Sequence, residues 1–185
     1  MRHTTSDYVK KYPVVDICCG TGVQLNHIAA RREGEVYGLD LDSRVLEYAQ
    51  KKYDFPLVLG DAVRLPFSSA VFGTAVISFA LHDKPPVFRR SILKEVHRVL
   101  QPGGYRVIVD FEQPWDRRSW WGAVVTHMIE RMAGREHYRN GRQFLRAGGL
   151  REFIKKNGLA EIERSLIAGG SFGIVRCRFS DDRSF

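Results

Sequence analysis

From Val14 to Phe111 the chain alternates short apolar runs with stretches of helical spacing, and this rhythm restricts the fold more than any other feature. The runs are Val14–Cys18, Val36–Leu41, Leu57–Leu59, Thr74–Phe79 and Tyr105–Phe111. They are close to continuously apolar rather than alternating with polar residues. Strands of that kind are buried on both faces, which means a parallel sheet covered by helices. The stretches between them predict helices over Val23–Arg32, from Ser43 to about Lys52, and over Pro85–Leu100. In the last of these Val87, Ile92, Val96, Val99 and Leu100 fall on or near one face. Asp42-Ser43 supplies capping chemistry for the second helix, with Glu47 placed as a capping-box partner, and Pro102-Gly103-Gly104 ends the third.

Beyond Phe111 the texture changes. Residues 112–116 read as a linker, and a helix is predicted from Ser119 to about Ala133, with Trp120, Val124, Met128 and Met132 at intervals of four. A further helix is predicted over Gly148–Asn157, closed by Gly158. Glu161–Ile167 and Phe172–Phe179 flank Ala168-Gly169-Gly170-Ser171, the pattern of an antiparallel hairpin at a sheet edge. The expected fold is α/β: a doubly wound, mostly parallel, seven-stranded Rossmann-like sheet with a C-terminal antiparallel hairpin at its edge. A single domain is expected over 1–185, with a core over 14–111, a helical cap insertion over 113–147, and the final helix and hairpin over 148–185.

Composition bounds the class. With 44% hydrophobic and 27% charged residues in 185, the chain is globular rather than disordered. No apolar run reaches the length of a membrane span, and the polar Met1–Lys11 stretch does not read as a secretory leader. Cys18, Cys19 and Cys177 cannot all pair and lack metal-ligand spacing, so packing roles, no metal and a reduced, cytoplasmic location are expected. The net charge of +8 is unevenly distributed: residues 116–156 carry ten basic against four acidic side chains. That segment is either a solvated face or a surface for an acidic substrate, nucleic acid or an anionic membrane.

Parallel sheets bind ligands at the carboxyl ends of their strands. Three carboxylates lie at such ends. Asp16 is in the first strand, four residues before Gly20 of the Gly20-Thr21-Gly22 turn. Glycine there lets backbone approach a ligand closely. The dinucleotide fingerprint needs a third glycine, but Leu25 occupies that position, and a carboxylate under the turn would repel a pyrophosphate while suiting an ammonium group. Asp40 ends the second strand, 18 residues after Gly22, where a carboxylate can accept from both hydroxyls of a ribose. Asp61 follows the third strand, where it can accept from an exocyclic amine. In order, these describe a site for an adenosine bearing a cation.

The stretches Val-Val-Asp-Ile-Cys-Cys-Gly-Thr-Gly (14–22), Gly-Leu-Asp-Leu-Asp (38–42), Gly-Asp-Ala (60–62), Phe-Ser-Ser-Ala-Val-Phe (67–72) and Leu-Lys-Glu-Val-His-Arg-Val-Leu-Gln-Pro-Gly-Gly (93–104) resemble class I S-adenosylmethionine-dependent methyltransferases, in particular the small ubiquinone/menaquinone-biosynthesis-like group. The resemblance covers residues 14–111 and speaks to the cofactor far more than to the acceptor. It implies S-adenosylmethionine as methyl donor and S-adenosylhomocysteine as product. Asp16, Cys19, Gly20, Thr21 and Gly22 would surround the methionine moiety, Asp40 would hold the ribose, and Leu41 would lie against the adenine. Asp61 and Ala62 would meet the adenine's amine and ring nitrogen, and Ser78 and Phe79 would line the sulfonium. Cys18-Cys19 stands where Gly-Cys or Gly-Ser is commoner, and Gly73 follows Phe72 where the family usually has Asp. The short stretch before the first strand offers Tyr8, Lys10 and Tyr12 as a minimal cap.

Methyl transfer from a sulfonium needs an aligned acceptor, and a base only where the acceptor loses a proton. Candidates for that base are His82, the best placed, with Asp83, Asp110, Glu112, His127 and His137. The expected acceptor is a small lipophilic or aromatic molecule roofed by 113–147. Trp115, Trp120 and Trp121 beside Arg117 and Arg118 also suit a peripheral contact with an anionic membrane through 115–121. Nucleic acid is not expected, since no RNA-binding module is present. Two other readings stay open: a non-catalytic S-adenosylmethionine-binding protein or partner subunit, and a NAD-dependent oxidoreductase.

Overall fold

The computed structural model describes residues 12–113 and 135–180. Seven strands form one sheet in the order β3-β2-β1-β4-β5-β7-β6: β1 Val14–Ile17, β2 Val36–Asp40, β3 Leu57–Leu59, β4 Phe72–Ser78, β5 Leu100–Phe111, β6 Leu159–Ile167 and β7 Phe172–Phe179. The helices are α1 Val23–Ala29, α2 Ser43–Gln50, α3 Pro86–Val99, α4 Arg135–Arg146 and α5 Gly149–Lys156. β1 pairs in parallel with β2 on one side and β4 on the other, and β2 with β3. β6 and β7 pair antiparallel, with a register shift between Glu161 and Glu163. The α/β class, the parallel core and the antiparallel edge hairpin all agree with the sequence reading. No described helix is long and apolar enough to cross a membrane.

The described chain falls into two compact units, one of residues 12–78 with 91–106, the other of 79–90 with 107–113 and 135–180. In the first, every residue of β1 is buried and Val15, Ile17, Leu25, Leu39 and Ala49 are fully enclosed. In the second, Phe144, Leu150, Ile154, Val175 and Cys177 form the core.

Two local expectations need correction. The capping residue of α2 is Asp42, whose side chain accepts from the Arg44 amide; the box position is then Val45, so Glu47 lies two residues too far along. The Arg44 side chain and amide also hold the Asp42 carboxyl down at about 2. Pro102-Gly103-Gly104 belongs to β5, which starts at Leu100 rather than Tyr105. A side chain at Gly104 would come within 2.9 Å of the Gln101 carbonyl and 3.1 Å of the Gly73 carbonyl, so this glycine allows close strand approach. The helix α4 lies within the span expected to form a helical cap, 113–147. The predicted 119–133 helix, Tyr8, Lys10, His127 and the tryptophan-bearing 115–121 segment lie outside the described residues.

Candidate functional site

In the first unit the glycine turn leaves β1 through Cys18, a non-glycine residue at φ 61°, then passes Gly20 at φ 53° and Gly22 at φ 76°. Left-handed backbone in a non-glycine residue is costly and persists only where its surroundings enforce it. Here the Cys19 amide donates to the Leu39 carbonyl at 2.9 Å and the Gly20 amide to Asp40 Oδ2 at 2.8 Å. The Gly22 amide closes the turn on the Cys19 carbonyl at 3.0 Å. A Cβ on Gly22 would press on the rings of Tyr53 and Phe55 at 3.2 and 3.3 Å, so this position is closed to larger residues.

Asp40 therefore does more than end β2. Its Oδ1 accepts from the Asp42 amide at 3.0 Å while Oδ2 holds Gly20, so one half-exposed carboxylate ties the turn to the next strand. Each oxygen retains a second lone pair for a hydroxyl. Asp16 is the opposite case: it is 2% exposed, and its Oδ1 has no hydrogen-bond partner among the described residues. Burial, and then the Asp40 charge, push its carboxyl up to about 7. A buried oxygen without a donor is costly unless a ligand supplies one. Ser78 Oγ, at the end of β4, is likewise buried with no partner among the described residues. Both observations fit a bound group that brings its own polar atoms.

Cys19 is buried, with its Sγ packed where a Cβ on Gly38 would sit, at 2.8 Å. Burial, followed by the Asp16, Asp40 and Cys18 charges, drives its thiol to about 12. It is an inert packing group at neutral pH, as the sequence reading held. Thr21 and Asp61 are exposed, Leu41 is 69% exposed, and Ala62 is buried. Asp61 Oδ1 accepts from the Val63 amide at 3.0 Å, folding its loop into an Asx turn. A strap not foreseen from sequence secures that loop. Glu95 Oε2 accepts from the Leu65 amide at 2.8 Å, and Arg98 donates to the carbonyls of Phe67 at 2.8 Å and Leu65 at 3.0 Å. Their i,i+3 spacing inside the 93–104 stretch was the available signal.

The second unit holds His82, 5% exposed, with Nδ1 2.7 Å from Asp110 Oδ1. Asp110 is fully buried and accepts from the amides of Leu81 at 3.0 Å, His82 at 3.1 Å and Phe111 at 2.7 Å. A carboxylate can only accept, so the Nδ1 facing it is the donor. The imidazole stacks on Phe111 at 4.0 Å between centroids. The buried Arg89 donates to the carbonyls of Leu81 at 2.8 Å, His82 at 3.2 Å and Asn140 at 3.2 Å. Burial lowers its guanidinium, and Asp110 and Asp83 work against that. Phe79, at φ 51° and 44% exposed, meets Phe172 edge-on at 5.2 Å.

The other base candidates among the described residues are engaged elsewhere. Asp83 pairs with Lys84 at 2.9 Å and lies 3.5 Å from His137. Glu112 is 4% exposed; its Oε1 accepts from the Arg151 amide at 3.1 Å, in the first turn of α5, and its Oε2 pairs with Arg164. Glu112 thus caps a helix whose own N-cap, Gly148, has no side chain to do so.

Residues 14–104 match a family model described as a methyltransferase domain. An uncharacterized methyltransferase of Synechocystis is 32% identical over 170 residues, spanning 89% of this chain and 74% of that one. The chain belongs to the class I S-adenosylmethionine-dependent methyltransferase family. A demethylmenaquinone methyltransferase of Staphylococcus epidermidis is 37% identical over 118 residues, 60% of this chain and 48% of that enzyme. The chain thus spans about half the length of such relatives. Its fold is also that of an S-adenosylmethionine-dependent methyltransferase structure from Mesorhizobium loti, with a TM-score of 0.63, 18% identity and 92% of each chain covered. Membership accounts for the absent third glycine: Leu25, fully buried, packs α1 where a dinucleotide site needs close backbone approach.

Proposed function

We propose that this chain transfers a methyl group from S-adenosylmethionine to a small lipophilic or aromatic acceptor, at carbon or oxygen. The observation that carries the reading is Asp16, a buried carboxylate with an unpartnered oxygen beside a glycine turn that Asp40 holds in place. Asp16 would take the ammonium of the methionine moiety, with Gly20, Thr21 and Gly22 around it. Asp40 would accept from the ribose hydroxyls, and Asp61 and Ala62 would meet the adenine edge beside Leu41. Ser78 and Phe79 would line the reacting sulfur. When bound, S-adenosylmethionine supplies a methyl group on a positively charged sulfur that leaves as a neutral thioether.

The chain's own contribution to the chemistry is placement and a base. His82 is the base in this reading: Asp110 fixes its tautomer and Phe111 its ring plane, so Nε2 receives the proton the acceptor gives up. Relatives named for demethylmenaquinone methylation favour a quinol-like aromatic ring as the acceptor class. The 115–121 segment, with tryptophans beside Arg117 and Arg118, would bring the chain to an anionic membrane surface.

Calorimetric titration with S-adenosylmethionine, S-adenosylhomocysteine and NAD tests the class. The reading requires binding of the first two and none of the third. Incubation with S-adenosylmethionine and demethylmenaquinol, read by mass spectrometry, then tests the acceptor class. Binding without methylation of any quinol or phenol tried would return the chain to a non-catalytic binding role.

A further inference from the structure

The second unit contains a cavity of about 390 Å³ lined by Pro85, Arg139, Asn140, Gln143 and Arg146. Four of these are on α4 at positions i, i+1, i+4 and i+7, one face of the helix. No carboxylate among the described residues lines it. Arg146 has no hydrogen-bond or ion-pair partner among the described residues, and Arg139 reaches only the exposed Glu136, at 3.8 Å. The wall is mostly carbon, from the proline ring and the stems of the longer side chains. A cavity with carbon walls whose two lining arginines are exposed to solvent suits a molecule that seats an apolar body and leaves an oxyanion at the mouth, which guanidinium binds by paired, charge-assisted hydrogen bonds.

Its position is fixed relative to His82. Pro85 is three residues beyond His82, and Asn140 Nδ2 donates to the Asp83 carbonyl at 2.8 Å. Arg89 joins the carbonyls of His82 and Asn140, and its guanidinium lies over Phe144 of α4 at 4.9 Å. The helix bearing the cavity is therefore strapped to the loop bearing the proposed base. We infer that this cavity is the subsite for an oxyanion, carboxylate or phosphate, carried by an amphipathic acceptor molecule. That the ligand is the acceptor rests on the methyl-transfer reading above; that the cavity binds an amphipathic oxyanion does not.

The test is titration of the full chain with phenyl phosphate and with benzoate, using phenol as the uncharged control, followed by calorimetry or amide NMR shifts. Arg139→Ala/Arg146→Ala should weaken the charged probes at least about tenfold. Arg135→Ala/Arg142→Ala, with the same charge change on the same helix but off the cavity, should leave them nearly unchanged. Gln143→Trp, which fills the cavity and keeps both guanidinium groups, should also abolish binding and guards against a folding defect in the double alanine variant. A preference for phenyl phosphate over benzoate assigns the oxyanion to a phosphate, and the reverse to a carboxylate. Equal losses in both arginine pairs, no loss in either, or no binding of either probe to the unmodified chain would overturn the inference. S-adenosylmethionine titrated into the same samples separates the two readings. Lost cofactor binding with intact probe binding sinks methyl transfer alone, and the converse sinks the cavity alone.

Discussion

Asp16 and Asp110 are both buried carboxylates near the ends of sheet strands, yet they are used in opposite ways. Asp110 is fully enclosed and accepts from three backbone amides and an imidazole, so the fold consumes its hydrogen-bonding capacity. Asp16 is nearly as enclosed but keeps an oxygen with no partner among the described residues, and its carboxyl is pushed up to about 7. In the proposed function the first holds the base and the second takes a cation. Burial alone does not mark a ligand site; burial without partners does.

The comparison can be broken at its stronger end first. Asp110→Ala leaves three amides and His82 Nδ1 without their acceptor, and should destabilise the chain by about 3–5 kcal/mol in urea unfolding. A loss below about 1 kcal/mol would mean that water replaces the carboxylate and that the network is not structural. Next in size is Asp40→Ala, which removes the acceptor for the Gly20 amide. It should weaken S-adenosylmethionine by about 1–3 kcal/mol in calorimetry, and unchanged affinity would sink the ribose assignment. The smallest effect is expected at Arg98→Ala, which frees the 61–67 loop and should weaken the adenine end by about 1 kcal/mol, with faster amide exchange at Leu65 and Phe67. If exchange there is unaltered, Glu95 alone holds the loop.

What the sequence made legible was local or repeated. The strand ends, the glycine turn and the antiparallel hairpin all rest on patterns within a few residues, and each is present. What it hid depends on distance or on missing apolar signal. His82 and Asp110 are 28 residues apart, and Asp110 read as one base candidate among several rather than as the partner of another. Glu95 and Arg98 act on a loop 30 and more residues away. The helix α4 buries only Asn140, Gly141 and Phe144, so no apolar stripe announces it. The glycines at 103 and 104 read as a breaker because sequence alone shows neither the positive φ of Gly103 nor the carbonyls that crowd Gly104.

The central claim is that Asp16 is held ready for a cation, and the pH dependence of S-adenosylmethionine binding tests it most directly. Because burial raises the folded Asp16 pKa above its ordinary value, the ligand-free chain holds a proton there below about 7. The stability that the neutral form confers is complete below the unfolded value and is lost as the pH rises to about 7. An ammonium ligand needs the ionised form, so below that pH each binding event must release a proton. Calorimetry in buffers of differing ionisation heat should show release of about one proton at pH 6 and nearly none at pH 8.5, with affinity falling as the pH drops. In Asp16→Asn that dependence should vanish together with most of the affinity. Equal proton release in the asparagine variant, or full affinity without the carboxylate, would contradict the account.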